Sequence, residues 1–470
     1  MTRSKSPNLI QAQQLEATNS CKPPVLWGTI VWITGGNAMY GEKTAVGRLA
    51  GVAALVLTIA FLFTMLTQPA QAQSFSVIHT FLGGVDGNEP AYGMAIDGAG
   101  NLLGSTFEGD EGTGTIFRVR HLSSGWQLLT IYVFIGGPDS PGAVPYAGVV
   151  VGPNGSLYGT TAFGGVGPCT TWGGTTGCGT VFNLRPPLSV CITALCYWTE
   201  TPLAQFNGSS GGAVPTGAQP IFDRAGNLYG TTFSGGGGSC SAGCGVVYEL
   251  VPSGSGWTEQ VLYSFTGAGG DGASPWAGLV FDQAGNLYGT TEFGGAYGYG
   301  TIYELSPSGS GWTEKVLYSF QNQADGGNPY AGLIFDRAGN LYGATTSGGT
   351  GDGGTVFELT PSGSSWNYQT LSAFVRRPGE LAGGPTASLI MDAAGNLYGA
   401  TAGDGAYGLG SVFKVTPSGG GWTTTTLYDF TGASDGELPR SNLVMDTSGD
   451  LYGTATGGAD GYGVLFEITP

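Results

Sequence analysis

A seven-residue stretch, Gly-Asn-Leu-Tyr-Gly-Thr-Thr, recurs along this chain and constrains its fold more than any other feature. It is complete at residues 226–232 and 285–291, and five close variants accompany it. The leucine of each copy stands at Leu102, Leu157, Leu228, Leu287, Leu341, Leu397 and Leu451. The spacings are 55, 71, 59, 54, 56 and 54 residues. Seven copies at a nearly constant period indicate a repeat architecture.

One repeat reads as four β-strands. Between residues 275 and 320, four short runs are rich in β-branched and aromatic residues and are bounded by Gly, Pro or Ser. We expect strands at residues 277–282, 286–291, 300–306 and 312–320. No stretch after residue 72 keeps a helical period over the length of a helix.

The first two predicted strands are joined by an Asp-x-x-Gly-Asn loop, as at residues 282–286. We expect a hairpin turn in which Gly285 has positive φ and Asp282 accepts local backbone N–H bonds. Calcium binding is the alternative for these loops. They lack the number of ligands that an EF-hand type of loop supplies, so the turn is favoured, and a structural calcium ion stays open.

Four antiparallel strands in each of seven repeats predict an all-β fold, a seven-bladed β-propeller. The last repeat lacks its fourth strand, and a matching strand, residues 74–81, precedes the first repeat. We expect this segment to complete the last blade, because the ring then closes without a free edge.

The chain divides into a polar extension at residues 1–48, an export segment at 49–72 and the propeller at 73–470. Residues 49–66 carry no charge, Arg48 precedes them, and Ala70-Gln71-Ala72 follows. This pattern is typical of a signal peptide cleaved after Ala72. An uncleaved transmembrane anchor is the alternative, because the run is just long enough to span a bilayer. Translation from Met39 would give a signal of ordinary length.

The cysteines agree with export. The chain has seven, and the six after the export segment fall into three close pairs. We predict disulfide bonds between Cys169 and Cys178, between Cys191 and Cys196, and between Cys240 and Cys244. Zinc at the last pair is disfavoured, because no histidine lies near it.

The charge excludes some partners. Residues 1–72 hold five of the 15 Lys/Arg and two of the 32 Asp/Glu, which leaves ten basic and thirty acidic residues in the propeller. So acidic a surface disfavours nucleic acid and anionic membranes. We therefore expect contact with a membrane only through the N-terminal segment, and a monomer.

The repeat resembles the GloVer (Gloeo/Verruco) tandem repeat of exported bacterial proteins. The resemblance rests on Gly-Asn-Leu-Tyr-Gly-Thr-Thr, on residues 300–307, on Trp312, on residues 317–320 and on Asp325-Gly326. It covers about residues 74–470. It implies a cell-envelope repeat protein and supplies no reaction.

The residue after each connector proline is expected to ring the mouth of the central channel. These residues are Ala91, Tyr146, Thr216, Trp276, Tyr330, Thr386 and Arg440. Tyr146, Trp276 and Tyr330 are suited to stacking on a sugar or a peptide side chain, and Arg440 to pairing with an anion. The plainer interpretation is that the aromatic rings only cover the ends of the channel strands.

Acidic residues fall on the same predicted face. They are Asp86, Asp271, Asp325 and Asp435 in the connectors and Glu108, Asp110, Glu111, Glu292, Asp352, Asp404 and Asp460 in other loops. A glycosidase needs two facing carboxylates, and no pair stands out. The only histidines, His79 and His121, suit neither a nucleophilic triad nor a metal site. No catalytic residue is assigned.

The sequence therefore favours an exported, non-enzymatic binding or scaffold protein that uses its connector loops to bind carbohydrate or a partner protein. The alternatives are a carbohydrate-active hydrolase or lyase with carboxylates at the channel mouth, and a purely structural envelope component. No cofactor is expected.

Overall fold

The computed structural model describes residues 73–109, 113–136, 140–170, 176–187, 198–217, 219–309, 311–376 and 383–470. They belong to one compact unit, Ala70–Pro470. The predicted segments 1–48 and 49–72 lie outside them. In the described ranges every regular element is a strand, and none contains a helix long and apolar enough to cross a membrane.

Seven four-stranded antiparallel sheets form the blades of a β-propeller, as predicted. In chain order the strands of each blade are called inner, second, third and outer. Blade 1 has Asn88–Ile96, Leu102–Glu108, Thr115–Leu122 and Gly125–Val133; blade 2 has Val149–Val151, Leu157–Thr161, Thr180–Arg185 and Thr199–Gln205; blade 3 has Ile221–Phe222, Leu228–Thr232, Val246–Ser253 and Gly256–Ser264; blade 4 has Val280–Phe281, Leu287–Thr291, Thr301–Ser308 and Gly311–Ser319.

The remaining blades repeat this order. Blade 5 has Ile334–Phe335, Leu341–Thr345, Asp352–Ser362 and Ser365–Val375; blade 6 has Ile390–Met391, Leu397–Thr401, Ser411–Ser418 and Gly421–Asp429; blade 7 has Val444–Met445, Leu451–Ala455 and Val464–Thr469. A further two-stranded sheet joins Gly272–Ala273 to Phe293–Gly294 in the loops of blade 4.

The N-terminal strand closes the ring, which confirms the prediction from the split repeat. Ser74–Thr80 pairs antiparallel with Val464–Thr469 and is the outer strand of blade 7. The next residue, Phe81, is fully buried and packs beside Phe117 of blade 1, with ring centroids 5.3 Å apart. The closing strand therefore joins the last blade to the first.

The inner strand of blade 4 is shorter than the sequence predicted. In blade 4 residues 277–282 were expected, and only Val280–Phe281 pair with the second strand. The backbone before them is tied to another blade, because the Thr231 hydroxyl of blade 3 donates to the Ala277 carbonyl at 3.1 Å. Thr290 makes the same bond to Ala331 of blade 5.

The Leu-Tyr pair of the repeat explains how the blades pack. Successive side chains of a strand point to opposite faces of the sheet. Leu287 accordingly lies in the core between blades 3 and 4, and Tyr288 in the core between blades 4 and 5. Every pair of neighbouring blades shares such a core, including blades 7 and 1.

The Asp-x-x-Gly-Asn loops form the predicted turns. Gly285 has φ of 90°. In blade 6 the Asp392 carboxylate accepts bonds from the backbone N–H groups of Ala394 and Asn396, from the Asn396 amide and from the Tyr398 hydroxyl. Burial would raise the pKa of Asp392, but these bonds outweigh it and hold the pKa below its usual value. The aspartate is therefore a structural group of the turn.

Replacing Asp392 by alanine should lower the free energy of unfolding by about 2 kcal/mol, because all four donors then lose a charged acceptor. Chemical denaturation measures this loss. Ala393→Ser, on the exposed tip of the same turn, is the control and should change stability little. An Asp392→Ala protein as stable as this control would show that the carboxylate is dispensable.

Two of the three predicted disulfides are present. Cys169 is bonded to Cys178, and Cys240 to Cys244, which also excludes zinc at the latter pair. The predicted bond between Cys191 and Cys196 lies outside the described residues. Disulfides indicate an oxidising, extracytoplasmic environment.

The glutamates that recur on the third strands are half-buried, and three of them accept a bond from the tyrosine of the neighbouring second strand. The Tyr229 hydroxyl donates to Glu249 at 2.6 Å, and that of Tyr342 to Glu358 at 2.8 Å. They therefore satisfy the polar tip of a side chain that is otherwise in the core.

Candidate ligand-binding face at the channel mouth

The connectors that lead into the blades hold an unusual backbone. In six of the seven blades the residue before the connector proline is not glycine and has φ between 48° and 61°. These residues are Glu89, Val144, Val214, Ser274, Asn328 and Leu438. A left-handed residue before proline is strained, at about 1–3 kcal/mol each, and must be held by its surroundings.

The preceding blade holds it. The Ser274 N–H donates to the Cys244 carbonyl at 2.7 Å, and the Asn328 N–H to the Tyr299 carbonyl at 2.8 Å. The proline itself packs on the same blade, since a Cβ on Gly300 would lie 2.7 Å from Cδ of Pro329. The residue after each proline is therefore fixed by two blades at once. We call the side of the propeller formed by these connectors the connector face.

Three of the predicted ring residues meet at the channel mouth. The Trp276 ring centroid lies 5.2 Å from that of Tyr330 and 6.0 Å from that of Tyr146. Tyr92, which the sequence did not single out, completes the group at 5.6 Å from Tyr146 and 6.2 Å from Trp276. These four half-buried rings, from blades 1, 2, 4 and 5, are called the aromatic cluster.

A second layer of side chains lies against the aromatic cluster. Each of these side chains belongs to the residue that follows the last threonine of a second strand. Phe107 of blade 1 packs against Tyr146 of blade 2 at 4.9 Å, and Phe233 of blade 3 against Trp276 of blade 4 at 5.5 Å. In blade 4 the residue after the last threonine of the second strand is Glu292. The Tyr330 hydroxyl of blade 5 donates to its carboxylate at 2.7 Å.

Among the described residues, Glu292 is the carboxylate that hydrogen-bonds to the aromatic cluster. Its residue is 6% exposed, and burial raises the pKa of its carboxyl to about 7, although the bond from Tyr330 opposes the shift. Burial and the neighbouring Glu292 in turn raise the pKa of Tyr330. At neutral pH this carboxyl is therefore partly protonated beneath the aromatic rings.

The rest of the ring is polar. Thr216 of blade 3 and Thr386 of blade 6 leave gaps between the larger side chains, and Arg440 of blade 7 is half-buried. Burial raises the pKa of Tyr146 to about 12, and Arg440 opposes that shift, which places the guanidinium within electrostatic reach of Tyr146. Among the described residues Arg440 has no ion-pair partner. Of Ala91 only the backbone is described.

Three ring residues carry buried polar atoms without a partner among the described residues. They are Nε1 of Trp276 and the hydroxyl oxygens of Thr216 and Thr386. Most buried polar groups in proteins are hydrogen-bonded, so three exceptions at equivalent positions of blades 3, 4 and 6 need an explanation. A ligand that supplies hydrogen-bond acceptors at the channel mouth would be one, but each atom is fully covered, so neighbouring groups would have to move to admit it.

Three rings of the aromatic cluster, those of Tyr92, Trp276 and Tyr330, line a channel pocket of about 160 Å³ to which all seven blades contribute. Two polar side chains of this pocket join blades. The Gln219 amide donates to the Met94 and Val149 carbonyls, and Asn442 bonds to both the N–H and the carbonyl of Met94. These side chains are thus engaged in the architecture and are not free for acid–base chemistry.

The connector aspartates are structural, as predicted. The Asp325 carboxylate accepts the Gln321 N–H at 2.9 Å and the Tyr318 hydroxyl at 3.0 Å, and Asp435 caps the next equivalent loop in the same way. Asp110 and Glu111 lie outside the described residues. In the described part of the chain no three His, Cys, Asp or Glu side chains are grouped to hold a metal ion.

The sequence placed the ring residues on one face but not their contacts. Tyr92 was missed because it stands one position later than the ring residues, where the other blades carry Ala, Gly or Ser. The support from Phe107, Phe233 and Glu292 has a sequence signal. Each of these three large side chains lies in the blade before one of the aromatic ring residues, Tyr146, Trp276 and Tyr330 respectively.

Comparisons with known proteins identify the repeat. A family model described as the Gloeobacter/Verrucomicrobia repeat matches residues 168–381 and 314–470. Among curated proteins none matches the chain.

Several solved structures are similar to part of this chain. One, assigned as a 6-phosphogluconolactonase from Bacteroides uniformis, is 16% identical with a TM-score of 0.45, over 76% of this chain and 95% of its own. One assigned as a glucose dehydrogenase-type oxidoreductase from Thermus thermophilus is 14% identical with a TM-score of 0.39, over 85% and 100%. A luciferin-regenerating enzyme is 13% identical with a TM-score of 0.38, over 85% and 96%. At these identities the likeness concerns the fold alone.

Proposed function

Since the chain belongs to the Gloeobacter/Verrucomicrobia repeat family and forms a closed seven-bladed propeller, we propose that it is an exported, non-enzymatic binding protein whose connector face binds carbohydrate. The observation that carries the proposal is the aromatic cluster beside Trp276 Nε1, Thr216 and Thr386, whose polar atoms lack partners among the described residues. Flat aromatic rings stack on the apolar face of a sugar, and the free donors suit its hydroxyl oxygens.

The rigidity of the face favours binding as well. Strained connectors held by the preceding blade keep the rings in place before a ligand arrives. A site ordered in advance loses less entropy on binding, so a small number of contacts suffices. The cost of holding six left-handed residues is offset by the rest of the fold.

A hydrolase is supported less well. Glu292 has the raised pKa that a general acid needs, but a glycosidase requires a second carboxylate about 5–9.5 Å away. The pKa of Glu292 is set by burial and by Tyr330, and among the described residues no second carboxylate contributes to it. The connector aspartates of this face are also committed to their loops.

The test is a glycan array probed with the full-length protein, with and without calcium, followed by titration of each hit. Replacing Trp276 by alanine should weaken binding about tenfold or more, because it removes the central ring of the aromatic cluster. Trp422→Ala is the matched control, since Trp422 is half-buried in blade 6 and packs on Tyr342 away from the cluster.

Both variants must keep the far-ultraviolet circular dichroism spectrum of the wild type, which shows that they are folded. An equal loss of glycan affinity in the two variants, or unchanged binding by Trp276→Ala, would contradict a site at the aromatic cluster. A folded wild-type protein that retains no glycan would favour the structural envelope role instead.

A further inference from the structure

Two grooves between blades run into each other on the side of the propeller that carries the Asp-x-x-Gly-Asn turns, which we call the turn face. The groove between blades 3 and 4 has a volume of about 590 Å³, and that between blades 4 and 5 about 580 Å³. Both are lined by the blade 4 turn around Asp282 and by Arg224. They therefore form one continuous double groove, and each half has the size of a small-molecule site.

Each half of the double groove has a tryptophan wall. Trp312 lines the first half and Trp366 the second, and both are half-buried. Trp366 is anchored edge-to-face on Tyr288 at 6.1 Å, and Trp312 packs on the core that contains Tyr229. Fixed aromatic walls in two neighbouring grooves suit a ligand with more than one ring.

The double groove is lined by three carboxylates and two guanidinium groups. The carboxylates of Asp223, Asp282 and Asp336 each accept bonds from two backbone N–H groups, an asparagine amide and a tyrosine hydroxyl, which occupy both oxygens. Arg224 and Arg337, at the exposed tips of the blade 3 and blade 5 turns, have no ion pair with a described residue. A ligand here must supply acceptors, and carboxylates match guanidinium groups in charge and shape.

The groove between blades 7 and 1 shows that this chemistry is not shared by the whole ring. Its volume is about 690 Å³ and Trp126 lines it in the same way. Its charged lining differs, however, because it has four carboxylates and no lysine or arginine, whereas the double groove has three carboxylates and two arginines. The four are Asp97, Asp446, Asp450 and Glu467, accompanied by His121. This groove has the tryptophan wall without the arginines and serves as an internal control.

We propose that the double groove is a second binding site, for an acidic oligosaccharide whose sugar rings stack on Trp312 and Trp366 and whose carboxylates pair with Arg224 and Arg337. The site is on a different face from the aromatic cluster and does not depend on it. The net charge of −17 opposes an anion at long range, but salt at physiological strength screens charges beyond about 8 Å. The aspartates of the groove oppose it locally, although their oxygens are already hydrogen-bonded within the turns, so the two arginines must outweigh them.

The experiment is calorimetric titration of the full-length protein with an oligogalacturonate and with its methyl ester, in which the same chain lacks the charges. The free acid should bind, more weakly as salt is added, and the ester should bind at least about tenfold more weakly. Arg224→Gln with Arg337→Gln should remove the preference for the acid, and these exposed substitutions leave the core untouched. Trp312→Ala should weaken both probes, whereas Trp126→Ala should weaken neither.

Several outcomes would overturn the proposal. These are equal affinity for acid and ester, no effect of the arginine substitutions, no binding of the acid, or equal binding of an oligoglutamate, which would indicate a peptide site. Trp276→Ala keeps this test separate from the proposed function. It should leave oligogalacturonate binding unchanged, so either site can fail while the other stands.

Discussion

Phe81→Ala should lower the free energy of unfolding by about 3–5 kcal/mol, as expected for truncating a fully buried phenylalanine. Phe81 follows the closing strand, and its N–H donates to the Gly463 carbonyl of blade 7 at 2.9 Å. Its ring lies in the core shared by blades 7 and 1 with Met94 and Leu465. Urea denaturation followed by tryptophan fluorescence measures the loss.

The neighbouring residue offers a control for Phe81. Leu82 is 64% exposed, and Leu82→Ala should change stability little. Phe134→Ala removes the corresponding buried ring from the junction of blades 1 and 2, which lies away from the point of closure. If Phe81→Ala cost less than about 1 kcal/mol, well below the Phe134 variant, the closing strand would not hold the ring together.

Glu292→Gln should change how stability depends on pH. The folded-state pKa of Glu292, about 7, is above its ordinary value of 4.5, so the folded protein holds the proton more tightly than the unfolded chain. The stability linked to that proton is complete below pH 4.5 and is lost as the pH rises to 7. The loss amounts to about 3 kcal/mol. Glutamine still accepts the Tyr330 bond but does not titrate, so the variant should be the more stable protein above pH 7.

The prediction is tested by measuring the free energy of unfolding of Glu292→Gln and of the wild type from pH 4 to pH 8.5. Burial and the nearby Asp271 also raise the pKa of Glu314 to about 7, so part of the decline should persist in Glu292→Gln. Asp460→Asn, at an exposed position, is the control and should follow the wild type. Identical pH profiles of Glu292→Gln and wild type would show that this carboxyl is not perturbed by burial.

The architecture was predictable because most of the contacts that form a blade lie within a single repeat. The Asp-x-x-Gly-Asn turn forms from groups within five consecutive residues, such as Asp392 and Asn396, and it recurs with the same geometry. The Leu-Tyr pair alternates across the sheet in six blades, and blade 1 has Leu102-Leu103 in its place. Local causes repeated in most blades leave little ambiguity, and the additional strand at residues 74–81 then fixes how the ring closes.

The site was only partly predictable, because it depends on departures from the repeat. Tyr92 occupies a position where other blades carry a small residue, and its contacts with Tyr146 and Trp276 cross blades. The bond between Glu292 and Tyr330 joins residues 38 apart. Blade 3 also has one extra residue between its proline and its aspartate, and its Gln219 amide crosses to blades 1 and 2. Such contacts follow from the closed ring and not from one repeat.

Hydrogen exchange with and without a bound glycan from the array tests the central claim most directly, because it locates the ligand without a mutation. We expect binding to slow amide exchange at the residues after the connector prolines, around Tyr146, Trp276 and Tyr330. Exchange in the outer strands should be unchanged. Protection that leaves these three connectors untouched and appears elsewhere would contradict a carbohydrate site at the aromatic cluster.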